Sequence, residues 1–194
     1  MVLVLLLLNL YERIAEYVQL QSSNEFKRSR NMEEYAVRPA LSGLVATSAM
    51  SSVLGIARKM GLLGTPPPKR ITASALRKMG HSPSSAPTPL FRATWIAAHL
   101  GYGAFCGVLY HPVRRSIHLH RYLSGLAFGL FVWAASYLGM LPALGLYPRA
   151  DRDKNARTAS MIVGHIVFGI ALAESNARLS AEVHGRDRGS RSDV

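Results

Sequence analysis

At 194 residues, with 49% hydrophobic content and a net charge of +12, the chain has the composition of one compact domain, in water or in a bilayer. Its single cysteine, Cys106, excludes an intrachain disulfide and falls in an apolar stretch, where it reads as a small buried residue. In a soluble chain this surplus of Lys and Arg would suggest nucleic acid, but here the basic residues sit beside long apolar stretches, so no nucleic acid is expected and the partners are the bilayer and its anionic headgroups.

Residues 1–38 form an N-terminal extension. Met1 to Leu8 is purely apolar but too short to span, and it lacks the basic start and small-residue cleavage site of a secretory signal. With YERIAEYV behind it, the segment suits a helix lying on the membrane surface or a loosely ordered extension, and residues 21–38 read as a polar linker. Four stretches nearly free of charge follow, at 39–60, 93–113, 122–147 and 158–174, and they predict an all-α integral membrane four-helix bundle occupying 39–174. The third is the strongest, since Tyr122 to Pro148 runs 27 residues without a charged side chain. The fourth is short, but Arg157 and Glu174 can snorkel to the headgroups.

Between the first two spans, residues 65–92 carry five cations and no acid, and ITASALRKMG suits a short amphipathic helix on the headgroups. In the second span, Trp95 and Tyr110 are placed as interfacial aromatics, and Gly103 and Gly107 match the small-xxx-small pattern of close helix contact. The turn to the third span is short, which predicts that spans two and three pack as an antiparallel pair. His111, His118 and His120 in and beside that turn lie among arginines without a carboxylate, so an interfacial basic loop is expected there rather than a metal site. Pro142 should kink or end the third span near Leu138. Residues 175–194 begin as a plausible short helix and are expected to become a disordered polar tail. Lys and Arg number 12 on one side of this topology and 11 on the other, so charge does not orient it, and self-association into a homo-oligomer is left open.

Two pairs of spans share motifs. Ser52-Val-Leu-Gly55 and Ser136-Tyr-Leu-Gly139 recur in the odd spans, each beginning from a Gly-Leu at Gly43 or Gly125; the even spans repeat His-x-x-aromatic-Gly as His99 to Gly103 and His165 to Gly169. The chain therefore reads as two similar helical hairpins with Gly103, Gly107, Gly164 and Gly169 as helix-packing positions. Equal depth along parallel helices puts His99 and His165 at one intramembrane polar level, with Ser52, Ser136 and Tyr137 counted onto it from the other two spans.

Three uses of that level are open. The histidines can lock helices by hydrogen bonds, as in a structural or scaffolding protein of the envelope. They can handle a small solute, proton or lipid, since an imidazole titrates near neutrality. As a lesser alternative they can ligate haem or a metal, although no carboxylate lies within the spans and the expectation is no cofactor, no metal and no catalytic residue.

The segments HLGYGAFCGVLYHPV, SGLAFGLFVWAASYLGMLPALGLYP and GHIVFGIALAE resemble the YagU-type family of uncharacterised bacterial inner-membrane proteins, best over residues 93–174. That resemblance implies a multi-pass protein of the bacterial inner membrane with histidines in the second and last helices, matched by His99, Gly164 and His165 here, and it implies no activity. Residues 1–38 and the Pro-rich, basic connection depart from it.

Overall fold

In a computed structural model the described residues are 32–81, 88–148 and 153–192, with Gln19 and Lys27; side chains are described as far as residue 181. The expected surface helix behind Met1 lies outside them. Among the described residues all regular structure is helical, in five helices: α1 (Glu33–Lys59), α2 (Pro67–Lys78), α3 (Pro89–Ser116), α4 (Arg121–Ala143) and α5 (Asn155–Ser192).

Local chemistry explains the boundaries. The α1 helix ends where Gly61 takes a left-handed φ of 76° and Leu62 N–H donates to the Ala57 carbonyl, and α2 ends the same way at Gly80. Pro67 occupies the first turn of α2, where a missing N–H costs nothing. Thr88 caps α3 by accepting the Phe91 N–H at 3.2 Å. Two boundaries differ from expectation. The first helix starts at Glu33, before Pro39, through a π-helical turn at Glu33–Val37. The tail expected to begin as a short helix and then lose order continues α5 as far as Ser192, and at its root Ser175 bonds the Ser42 carbonyl while Glu174 pairs with Arg178 one turn on.

In α4 the helix runs past Leu138 and ends at Ala143, one residue after Pro142, and its regular α-geometry is interrupted around Leu138. Residues Ala135–Met140 widen into a π-helical turn just before the proline, which accommodates its missing N–H and its ring. The register change carries Ser136 and Tyr137 to the buried side.

The principal packing runs in the order α3, α1, α5, α4. Close contacts in this row are made at glycines. A Cβ on Gly43 would overlap the Gly103 carbonyl, one on Gly107 the Pro39 carbonyl, one on Gly125 the Gly169 carbonyl, and one on Gly129 the His165 carbonyl. Gly164 instead receives the side chains of Leu54 and Met50. The second and third spans, expected to pack as an antiparallel pair, touch only lightly as α3 and α4. Bulky side chains occupy that seam in place of glycines: Tyr110 packs on Phe128 and bonds Ser124 at 2.9 Å, and Tyr102 bonds Ser136 at 2.8 Å. Tyr110 is thus fully buried in the core and not an interfacial anchor.

Among the described residues three helices, α1, α4 and α5 over Asn155–Ala181, are long and apolar enough to cross a membrane. In α4 only 28% of the apolar stretch is buried, and Leu123, Phe131 and Leu138 face outward. An outward apolar face on several adjacent helices is compatible with a membrane protein. Four spans are expected from the sequence. The α3 helix, at 28 residues, has the length but not the composition, since His99, His111, Trp95 and two tyrosines dilute its apolar run.

Candidate functional site

The light contact between α3 and α4 leaves a cavity of about 260 Å³. Tyr110 fills the seam toward the Ser116–Arg121 turn, and α2 covers the opposite end with Pro67, Pro68 and Ile71. Each of His99 and His165 stands ten residues, about 15 Å, from the start of its helix, and both line this cavity. Ser136 and Tyr137 line it as well, delivered by the π-helical turn. Ser52 does not join them. Thr47, Met50 and Leu54 present the inner face of α1, while Ser52 lies on the exposed face and bonds the Ser48 carbonyl at 3.0 Å.

The two imidazoles differ. His165 is 8% exposed, and its Nδ1 lies 2.8 Å from the Met161 carbonyl of its own helix. Only a protonated Nδ1 can donate that bond, which assigns the neutral ring a lone pair on Nε2. His99 is half-buried, lies within electrostatic range of His165 and has no hydrogen-bond partner among the described residues. Neither ring therefore ties two helices together through a hydrogen bond. Trp133, stacked on Tyr137 at 5.9 Å, also lines the cavity, and its buried indole N–H has no partner among the described residues. The remaining walls are largely apolar, with Met50, Cys106, Val132, Met161 and Phe168. Such a space suits a small, mainly apolar molecule with one or two hydrogen-bonding groups.

Among the described residues, the Tyr102 to Ser136 bond is the one hydrogen bond across α3 and α4 at this level. Ser136→Ala is expected to cost about 1 kcal/mol, read as a fall in Tm of about 3 °C, with Tyr102→Phe costing the same and the double variant no more than either.

A charged cluster closes one side. Asp153, just before α5, has a side chain 3% exposed. It accepts hydrogen bonds from the Tyr137 hydroxyl, from Tyr147 at 3.3 Å and from the Lys154 amide at 2.9 Å, and it pairs with Arg157 at 2.7 Å. Burial pushes the Asp153 carboxyl up, but the Tyr137 hydroxyl, the Lys154 amide and Arg157 outweigh it and hold it below the usual carboxylate range. Burial, then the Asp153 charge, pushes the Tyr147 phenol above its ordinary value. No carboxylate is expected at the polar level from the sequence, yet Asp153 reaches it through Tyr137. Asp153, Tyr102 and Trp133 are the site residues that sequence reasoning misses. A lone acid in a charged turn and aromatics in an apolar span carry no signal of this convergence.

No group of three His, Cys, Asp or Glu side chains suited to a metal occurs among the described residues. In the 2–3 turn region His111 is buried edge-on against Tyr35 at 5.4 Å, and His120 lies against Tyr122.

Residues 57–173 match a family model described as a protein of unknown function (DUF1440). The chain belongs to the DUF1440 family. The matched segment runs from the last turn of α1 to Ala173 and so contains α2, both histidines, the π-helical turn and Asp153. Of the cavity lining, Thr47, Met50 and Leu54 precede it. No curated protein and no solved structure matches this DUF1440 chain.

Proposed function

We propose that this DUF1440 protein is a four-span, multi-pass protein of the bacterial inner membrane, similar to the YagU type, that binds a small, largely apolar solute at the His99 and His165 level between α3 and α4. The observation that carries the reading is a cavity whose imidazoles and indole N–H keep hydrogen-bonding atoms without partners among the described residues, while the helices are held together at glycines. In this reading α3 is the additional span, its His99 and Tyr102 tolerated because they face the cavity. The architecture is two copies of one hairpin: Gly43 meets Gly103 in the first as Gly125 meets Gly169 in the second, at positions equivalent in the sequence repeat. The first connection is the longer one and supplies α2, which covers the cavity. The activity is binding or passage of the solute, without catalysis. The Tyr137 to Asp153 contact favours a second use of the same level, passage of a proton between the histidines and the connection before α5.

The scaffold alternative is separated by a thermal-shift titration. Detergent-purified protein is titrated with cyclohexanone, a small apolar probe with one acceptor, beside His99→Ala and His165→Ala. The wild type is expected to gain several degrees of Tm at saturation. Both variants should fold with an unliganded Tm within about 3 °C of wild type and gain nothing. A larger unliganded loss in both variants, with no gain in the wild type, would assign the histidines to helix locking.

A further inference from the structure

A second concavity of about 440 Å³ lies between α2 and residues 145–148, separated from the histidine cavity by Leu146, which lines both. Its polar lining comes from Lys69, Arg70 and Arg77 with Thr65 and Ser74. The amphipathic α2 explains the division of labour, because Pro67, Pro68, Ile71 and Thr72 turn to the histidine cavity while Lys69, Arg70 and Arg77 turn to the groove.

Two contacts join the walls of the groove. Lys78 Nζ donates to the Leu144 carbonyl at 2.6 Å, and the Arg70 guanidinium lies 5.0 Å from the centre of the Tyr147 ring. Among the described residues its cations have no acidic partner. Among residues with described side chains the acids are Glu33, Glu34, Asp153 and Glu174, and each is paired elsewhere, with Arg38, Arg115, Arg157, and Arg121 and Arg178 respectively. Lys69 and Arg70 are half-buried, so their charges are concentrated in a concavity that no carboxylate lines among the described residues. That is the electrostatic demand of an anion with several acceptor oxygens.

We propose that this groove binds the phosphate of an anionic lipid headgroup. Lipid is the source favoured by position. The groove sits at the ends of α1 and α4 and the start of α5, where apolar spans meet the surface, and Met60, Leu62 and Leu144 near it are exposed apolar side chains suited to acyl chains. The inference is independent of what occupies the histidine cavity, since His99 and His165 do not line the groove.

The test measures binding of dihexanoyl phosphatidylglycerol, dihexanoyl phosphatidylcholine and inorganic phosphate to the full-length protein in a non-ionic detergent by native mass spectrometry. Phosphatidylglycerol is expected to bind at least about tenfold tighter than either of the others. Lys69→Gln, Arg70→Gln and Arg77→Gln together should remove that preference, whereas Arg58→Gln, Lys59→Gln and Arg92→Gln, an equal loss of charge outside the groove, should keep it. Arg77→Gln alone, at an exposed position, reads the same preference if the triple variant fails to fold, and should weaken it several-fold. Equal binding of the two lipids, or equal loss in the two triple variants, would overturn the proposal. Phosphate binding as tightly as phosphatidylglycerol would assign the groove to the free anion and overturn the lipid source.

Discussion

Asp153→Ala is expected to cost about 3–5 kcal/mol, because it leaves the Arg157 guanidinium, 15% exposed, in a buried site without its counter-charge. The same change removes the acceptor shared by Tyr137 and Tyr147. In a thermal melt the loss reads as at least about 6 °C. Asp153→Asn keeps the shape and loses the charge, so it should recover only a small part. Asp153→Leu combined with Arg157→Met replaces both charges by apolar volume and should be better tolerated than either single change. A cost below about 1 kcal/mol for Asp153→Ala would place the pair in the class of solvated surface ion pairs. The pH dependence carries the same sign. The folded Asp153 pKa lies below its ordinary value, so its contribution is present above the unfolded pKa near 3.8 and is lost as pH falls through the lower folded pKa. Tyr147 works at the other limit. Its raised pKa contributes stability below about pH 10 that is lost as pH rises through the higher folded value. Asp153→Asn should therefore flatten the acid limb of a stability curve and weaken the alkaline limb without abolishing it, because burial is the larger cause of the Tyr147 shift and the Asp153 charge the next.

Gly43→Leu and Gly169→Leu are expected to prevent the fold from forming, because each side chain would have to occupy space held by the backbone of the facing helix at Gly103 or Gly125. Backbone cannot yield as a side chain does, so the cost exceeds the 1–3 kcal/mol or so of ordinary overpacking. The measurement is the fraction of detergent-extracted protein in the monodisperse size-exclusion peak, which should collapse in both variants. Gly55→Ala and Gly139→Ala are the internal controls. Neither added methyl meets another atom within 4 Å, so both should fold normally and gain a few tenths of a kcal/mol or more from helix propensity. Normal extraction and melting of Gly43→Leu and Gly169→Leu would show that α1 with α3, and α4 with α5, do not need their close backbone approach.

The glycines were legible in the sequence as a pattern, and Gly103 and Gly107 stand out by spacing alone. Their partners were not, because small-xxx-small marks a face that admits a neighbour without naming it. The histidine level was legible for a different reason. Rise per residue converts sequence position into depth, so His99 and His165 could be counted to the same height, and they line one cavity. Depth does not give azimuth. Ser52 lies near the right height on the wrong face of α1, and the π-helical turn before Pro142 alters the face presented by Ser136 and Tyr137 in a way no constant helical period predicts.

Helical character, the long apolar runs and the presence of a basic amphipathic segment after the first of them follow from the sequence by itself, because each depends on local composition and a fixed rise. The order of the helices, the light contact between α3 and α4, the cover supplied by α2 and the approach of Asp153 to Tyr137 were decided only in the tertiary structure. The physical reason is the same for all four. Each depends on which bulky side chains meet across a seam, Tyr102, Tyr110 and Phe128 on one side of the bundle and glycines on the others, and a one-dimensional pattern does not encode those pairings.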